Sequence, residues 1–238
     1  MARLIVVYDN ERFAEDFEKA WGFSCLVRFA GKTVLFDTGG DPEVLRHNLD
    51  AVGFHPEDLA AVVISHMHWD HVGGLPVVLH EGLRVFLPAS ATDEDLLKIA
   101  ESGATVERVT EPRQLLPGVW STGTIEAGVP EQSLVIRTGA GLVVLTGCAH
   151  PGVVRIVETV ERIFPGQPVA LVAGGFHLKD QDLGTIRATA RRLIELGVRR
   201  VGPAHCSGSL ARSVFAQLYD DAYVRVGAGL VLDFPNDD

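Results

Sequence analysis

Apolar positions in this 238-residue chain fall in short runs punctuated by glycine, and these alternate with stretches of helical period. Leu4–Tyr8 has strand length. Cys25–Phe29 and Thr33–Phe36 flank Ala30-Gly31-Lys32, whose central glycine predicts a hairpin. A helix is predicted from Asp41-Pro42 through Val52: the aspartate caps it, proline suits the first helical position, and Gly53 follows its end. Ala61–Ser65, Val85–Leu87, Val119–Ser121 and Val169–Ala173 are short and rich in β-branched residues, so they are predicted as strands. Leu134–Arg137 and Leu142–Leu145 make a second hairpin around Gly139-Ala140-Gly141. Helical period returns in Thr92–Ala100, Val153–Ile163, Leu183–Leu196 and Ser209–Leu218, with a strand expected at Val198–Val201 and more strands closing the chain.

The two hairpins share a plan. Both end in Thr-Gly (Thr38-Gly39 and Thr146-Gly147), both precede a helix, and each is followed later by a strand stopping at a histidine, His66 or His205. Two similar halves, each a β layer backed by helices, predict a four-layer αββα sandwich, expected to fill residues 1–238 as one domain. Composition adds exclusions. With 31 acidic against 21 basic residues the net charge is −10, a poor fit for a protein that must grip a phosphate backbone over a broad face. Three distant cysteines, Cys25, Cys148 and Cys206, imply no disulfide framework. No apolar run is long enough for a signal core or a membrane span, so a cytoplasmic protein acting on a small molecule is expected.

The chemistry concentrates in Ser65-His66-Met67-His68-Trp69-Asp70-His71-Val72-Gly73-Gly74. In an extended segment His66 and His68 project to one side and can share a metal ion. Asp70 and His71 lie past the bend into a helix and can face a neighbouring ion. Imidazole nitrogen and carboxylate oxygen suit zinc first, with iron, manganese and nickel as alternatives. His177, after the strand-ending Gly174-Gly175, falls on the edge where strand C-terminal ends collect and is read as a proton-transfer histidine close to the metals.

These residues resemble a known family. The stretch 65–74 is similar to the H-x-H-x-D-H signature of the metallo-β-lactamase superfamily, LFDTGG (35–40) to its first motif, and PAHCSG (203–208) to its last histidine. Together with GCAHPG (147–152) and GGFHL (174–178) they resemble the subfamily related to dihydropterin-ribofuranosyl-aminobenzene phosphate synthases. The resemblance implies an αββα sandwich and a two-metal site, with His66 and His68 on one ion and Asp70, His71 and His205 on the other. It gives Asp37 a supporting place. Two departures stand out: no histidine occurs at 126–132, just before the second hairpin, and Cys148 stands where the family has a bridging aspartate. His150 is therefore the expected third ligand of the first ion, with Cys148 (as ligand or bridge) and Glu131 as the other candidates.

The expectation is a hydrolase using water activated by two divalent ions, with Asp70 orienting that water and His177 protonating the leaving group. A phosphoester or phosphodiester is the favoured substrate class, ahead of other small esters. Two other functions fit the same residues: an iron-dependent oxidoreductase, and a metal-containing binding protein without catalysis.

Overall fold

Strands buried on both faces read as continuous apolar runs rather than as alternating ones, and the hairpins behave this way. The computed structural model describes residues 1–236. Its first sheet contains β1 (Ala2–Tyr8), β2 (Ser24–Phe29), β3 (Lys32–Phe36), β4 (Ala61–Val63), β5 (Arg84–Pro88) and β6 (Thr105–Val109). The second contains β7 (Arg113–Leu116), β8 (Val119–Ser121), β9 (Leu134–Thr138), β10 (Gly141–Thr146), β11 (Val169–Gly175) and β12 (Val201–Ala204). The last strand, β13 (Val231–Phe234), returns to the first sheet, giving orders β13-β1-β2-β3-β4-β5-β6 and β12-β11-β10-β9-β8-β7. The helices are α1 (Pro42–Ala51), α2 (Trp69–Val72), α3 (Asp93–Ala100), α4 (Val153–Ile163), α5 (Leu183–Glu195) and α6 (Gly208–Tyr219).

Side-chain alternation sorts each strand between two cores. Val34 and Phe36 of β3, with Val143 and Leu145 of β10, fill the space between the sheets. Leu35 turns outward onto Leu45 and Leu49 of α1, and Ile99 of α3 joins the same cluster. On the far side Leu142 and Val144 meet Ile156 and Val160 of α4, Ile186 and Leu193 of α5, and Val214 and Phe215 of α6. Three apolar clusters between four layers make this an αββα sandwich.

The helix starts follow local chemistry. Asp41 accepts the Glu43 N–H at the head of α1, and Thr92 and Asp95 form a reciprocal capping box at α3. Elsewhere the structure departs from the sequence reading. β6 and β7 were not anticipated, and the strand expected at Val198–Val201 lies at Val201–Ala204. The correspondence between halves also shifts. β3 pairs parallel with β4 as β10 does with β11, so β4 matches β11, which ends before His177, and His205 follows the next strand out. No helix is long and apolar enough to cross a membrane among the described residues.

Candidate metal centre

Parallel strands of both sheets end at one edge of the sandwich, and the segments leaving those ends carry the polar residues. After β3 comes Asp37, after β4 Ser65 and His66, after β10 Cys148 and His150, after β11 His177, and after β12 His205. Four of these turns are strained: Asp37 (φ 56°), Ala149 (59°), His177 (52°) and His205 (45°) adopt left-handed backbone without being glycine. Such conformations persist only where surrounding contacts over-determine them, and they cluster at functional sites. Gly147 answers a different need, because a Cβ there would overlap Ser65 Oγ and come within 3.0 Å of Asp37 Oδ2.

The residues named from the sequence gather into two triads. His66, His68 and His150 each present one donor atom to a common point, as do Asp70, His71 and His205, with the donor atoms of each set within 4.8 Å of one another. His66 and His71 lie side by side, ring centroids 4.2 Å apart, so the triads adjoin.

His66, His71 and His205 are each oriented by a partner on the other ring nitrogen. Buried Asp37 places Oδ2 2.7 Å from His71 Nδ1 and also accepts from Ser65 Oγ and Ser65 N. That leaves His71 Nε2 facing the triad, 3.9 Å from Asp70 Oδ2 and 3.3 Å from Cys148 Sγ. Burial lowers the proton affinity of His71, but the carboxylates of Asp37, Asp70 and Glu131 together outweigh it and raise the pKa. Asn10 Oδ1 lies 3.0 Å from His205 Nδ1 while Asn10 Nδ2 donates to the His205 carbonyl, which turns His205 Nε2 inward. Trp21 Nε1 donates to Asp70 Oδ2 at 2.8 Å, and His205 Nε2 lies 3.2 Å from the same oxygen. Burial disfavours the Asp70 carboxylate, yet His205 and His71 hold its pKa below the usual range.

In the other triad, His66 Nδ1 meets Ser65 Oγ at 2.9 Å and His66 Nε2 faces His68 Nδ1 at 3.1 Å. Burial, then the neighbouring histidines, depress the His66 pKa strongly. Burial and the nearby His177 bring His150 down to about 4. Neutral imidazoles are the form that ligates metal. The buried Nε2 of His150 has no hydrogen-bond partner, and that of His205 faces the Asp70 carboxylate at 3.2 Å without good hydrogen-bond geometry. An orphaned buried nitrogen is costly, and that of His150, with His205 and Asp70 converging in the other triad, fits the residues to bound cations.

Glu131 does not face the triads. Its carboxylate accepts the backbone N–H groups of Gly147, Cys148 and Ala149 on Oε1 and that of His150 on Oε2, all within 2.9–3.1 Å. It clamps the strained loop that carries Cys148 and His150, and burial pushes its pKa up to about 7. Asn10, Trp21 and Ser65 orient donors from distant or adjacent segments, roles that no sequence motif marks. Their one visible signal is position: Asn10 closely follows the β1 end and Ser65 immediately precedes the first histidine.

His177 is exposed, its ring centroid 4.3 Å from that of His150. The neighbouring Cys206 sulfur raises its pKa, against burial. It stands between two cavities. One of about 290 Å³ is walled by His150, Val153, Phe176, Leu178 and Thr185; another of about 150 Å³ by Trp21, Lys179 and Cys206.

Comparison with known proteins places these features in context. The model of the metallo-beta-lactamase superfamily matches residues 22–205. The 7,8-dihydropterin-6-methyl-4-(beta-D-ribofuranosyl)-aminobenzene-5'-phosphate synthase of Methanocaldococcus jannaschii is 28% identical, over 85% of each chain. Among solved structures, a metal-dependent hydrolase of the beta-lactamase superfamily superimposes with a TM-score of 0.85 at 30% identity, covering 99% of this chain and 100% of that one. The short form of human tRNase Z shares the fold at a TM-score of 0.65 and 14% identity, over 98% and 99% of the two chains. The expectation against nucleic acid loses its support here, since a tRNase shares this sandwich and net charge alone does not decide the matter.

Proposed function

The chain belongs to the metallo-β-lactamase superfamily, and from that premise we propose that it is a hydrolase working through two divalent metal ions, zinc before iron, manganese or nickel. The observation that carries this reading is the pair of adjoining donor triads, one with the orphaned buried Nε2 of His150 and the other with His205 Nε2 against the Asp70 carboxylate. His66, His68 and His150 would hold one ion and Asp70, His71 and His205 the other. So held, a pair of divalent ions supplies acidified water and an electrophile for the scissile oxygen.

The chain's own groups do the rest. Asp37 and Asn10 hold the Nδ1 sides of His71 and His205, so both rings turn Nε2 toward the site where an ion would bind. Asp70 has one oxygen tied to Trp21 and is ionised, so it can bind an ion and orient water at the site by accepting its hydrogen bond. His177 touches neither triad through a hydrogen bond, carries a raised pKa, and opens onto both cavities, which suits it to give a proton to a leaving group.

The cavity beside His150 mixes apolar walls (Val153, Phe176, Leu178) with the Thr185 hydroxyl, which suits a small organic molecule. A phosphoester or phosphodiester is the substrate class proposed. The Methanocaldococcus jannaschii relative is named for a 5'-phosphate product, and a two-metal clamp suits in-line displacement at phosphorus. The test is elemental analysis of protein purified without added metal, followed by a panel of chromogenic phosphomonoesters, phosphodiesters, carboxylic esters, lactones and β-lactams. Two ions with turnover of a phosphoester are expected. One ion under metal excess, or turnover confined to non-phosphate substrates, would overturn the corresponding half of the proposal.

A further inference from the structure

Beside the two triads, three more donors converge. Cys148 Sγ, Cys206 Sγ and a ring nitrogen of His177 lie within 4.8 Å of one another. Both thiols are buried and free of any disulfide. The Cys206 thiol meets the Cys148 carbonyl at 3.6 Å, a weak interaction for a weak donor, and its sulfur interacts with the Cys148 sulfur and the His177 ring. Gly175 lets the two cysteine-bearing segments approach: a Cβ there would meet Cys206 Sγ at 2.7 Å and Cys148 Cα at 3.0 Å. His177 provides the opening, since it lines both cavities and Cys206 lines the smaller. Two sulfurs and one imidazole are a soft donor set. Zn²⁺ and Cd²⁺ suit it; Mg²⁺ and Mn²⁺, which seek oxygen, do not. Three protein ligands with a solvent-facing side leave a coordination position for water.

We propose that Cys148, Cys206 and His177 form a third cation site, which takes a thiophilic divalent ion and thereby inhibits the neighbouring two-metal centre. Binding at this site stands on its own geometry; its inhibitory consequence rests on the hydrolase reading above. An ion here holds the His177 ring against Cys148 and Cys206, so the ring can no longer turn toward a leaving group in the adjoining cavity. It also competes for the Cys148 sulfur, which lies 3.3 Å from His71 Nε2. As the ion enters, each thiol loses its proton to solvent and donates a lone pair, so no electron changes hands.

The experiment uses the protein with its resident ions, titrated with Cd²⁺. Bound and released metals are counted by elemental analysis, and the ultraviolet thiolate-to-cadmium charge-transfer band is recorded alongside turnover. The wild type is expected to take up one further ion per chain without releasing a resident one, to gain the band, and to lose turnover in step. Cys206→Ser and Cys206→Ala should keep the resident ions and bind the additional Cd²⁺ at least about 10–100-fold more weakly, the loss typical even for residues that only support a ligand. No further uptake by the wild type would overturn the proposal, as would a band and affinity unchanged in both variants. Fewer than two resident ions before titration would instead count against the hydrolase reading, while the dependence on Cys206 would still decide the third site.

Discussion

In the triad of Asp70, His71 and His205, every side chain is buried and held by a second group: Trp21 on Asp70, Asp37 on His71, Asn10 on His205. In the triad of His66, His68 and His150, burial falls off from His66 to exposed His68, and only His66 has a partner of another kind, the Ser65 hydroxyl. His68 leans on His66 itself, and His150 is fixed through its backbone by Glu131. Metal affinity should follow this contrast. A donor whose tautomer and ring angle are set before the ion arrives loses less freedom on binding, and supporting partners typically contribute about 10–100-fold in metal affinity. The Asp70 triad is preorganised through side chains; the His66 triad is preorganised mainly through the backbone. Its carboxylate also adds a negative charge that the His66 triad lacks. The ion at Asp70, His71 and His205 is therefore expected to be the tighter of the two.

The sharpest way to break this ranking is Asp37→Ala. It strips His71 of its buried partner and Ser65 of an acceptor, so stability should fall by about 3–5 kcal/mol, the usual cost of halving a buried pair. The Asp70-triad ion should be lost with it. Thermal denaturation with elemental analysis reads both; two ions retained at wild-type affinity would refute the assignment of Asp37 as the support of that triad.

Next in size is His150→Ala, which removes a donor rather than its support. One ion should be lost or weakened by at least about 10–100-fold, while the other stays, since Asp70, His71 and His205 are untouched. If isothermal titration found both ions at full affinity, Cys148 would have to complete the His66 triad.

How far these features were legible in the sequence divides along the same lines. The hairpins, α1 and α4 were readable because their signals are local: the Gly31 turn, the Asp41-Pro42 cap, the unbroken amphipathic period of Val153–Ile163. β6 was hidden because Glu107 and Arg108 interrupt its apolar pattern at the sheet edge, and β12 because Gly202 and Pro203 both argue against a strand. At the site, His66, His68, Asp70 and His71 sit within one segment, so their geometry was legible from period and bend. Their supports were not. Trp21 reaches Asp70 across 49 residues and Asn10 reaches His205 across 195, pairings that only the assembled sheets create. Glu131 was visible as a candidate donor, but its carboxylate turns to backbone N–H groups instead.

A milder probe is Asn10→Ala. His205 keeps its place but loses the group that orients Nδ1, so affinity for the Asp70-triad ion should fall by about 10–100-fold with the other ion unaffected. Competition with a chromogenic chelator measures this. Equal weakening of both ions would mean that Asn10 supports the whole edge rather than one triad.

The smallest effect is expected for Glu131→Gln. The amide oxygen can still accept the N–H groups of Gly147, Cys148 and Ala149, leaving its NH₂ to face the His150 N–H, so one buried hydrogen bond is lost at about 1–3 kcal/mol. Hydrogen exchange at residues 147–150 should speed up and the His66-triad ion should bind somewhat more weakly. A change confined to the Asp70-triad ion would contradict the backbone-clamp account.

The central claim, two ions of unequal hold, is tested most directly by dialysing the purified protein against graded concentrations of chelator and counting metal per chain. A plateau near two ions is expected, then a first loss that His150→Ala abolishes and a second at higher chelator that Asn10→Ala brings forward. A count near one throughout, or both ions leaving in a single step that neither substitution separates, would contradict it.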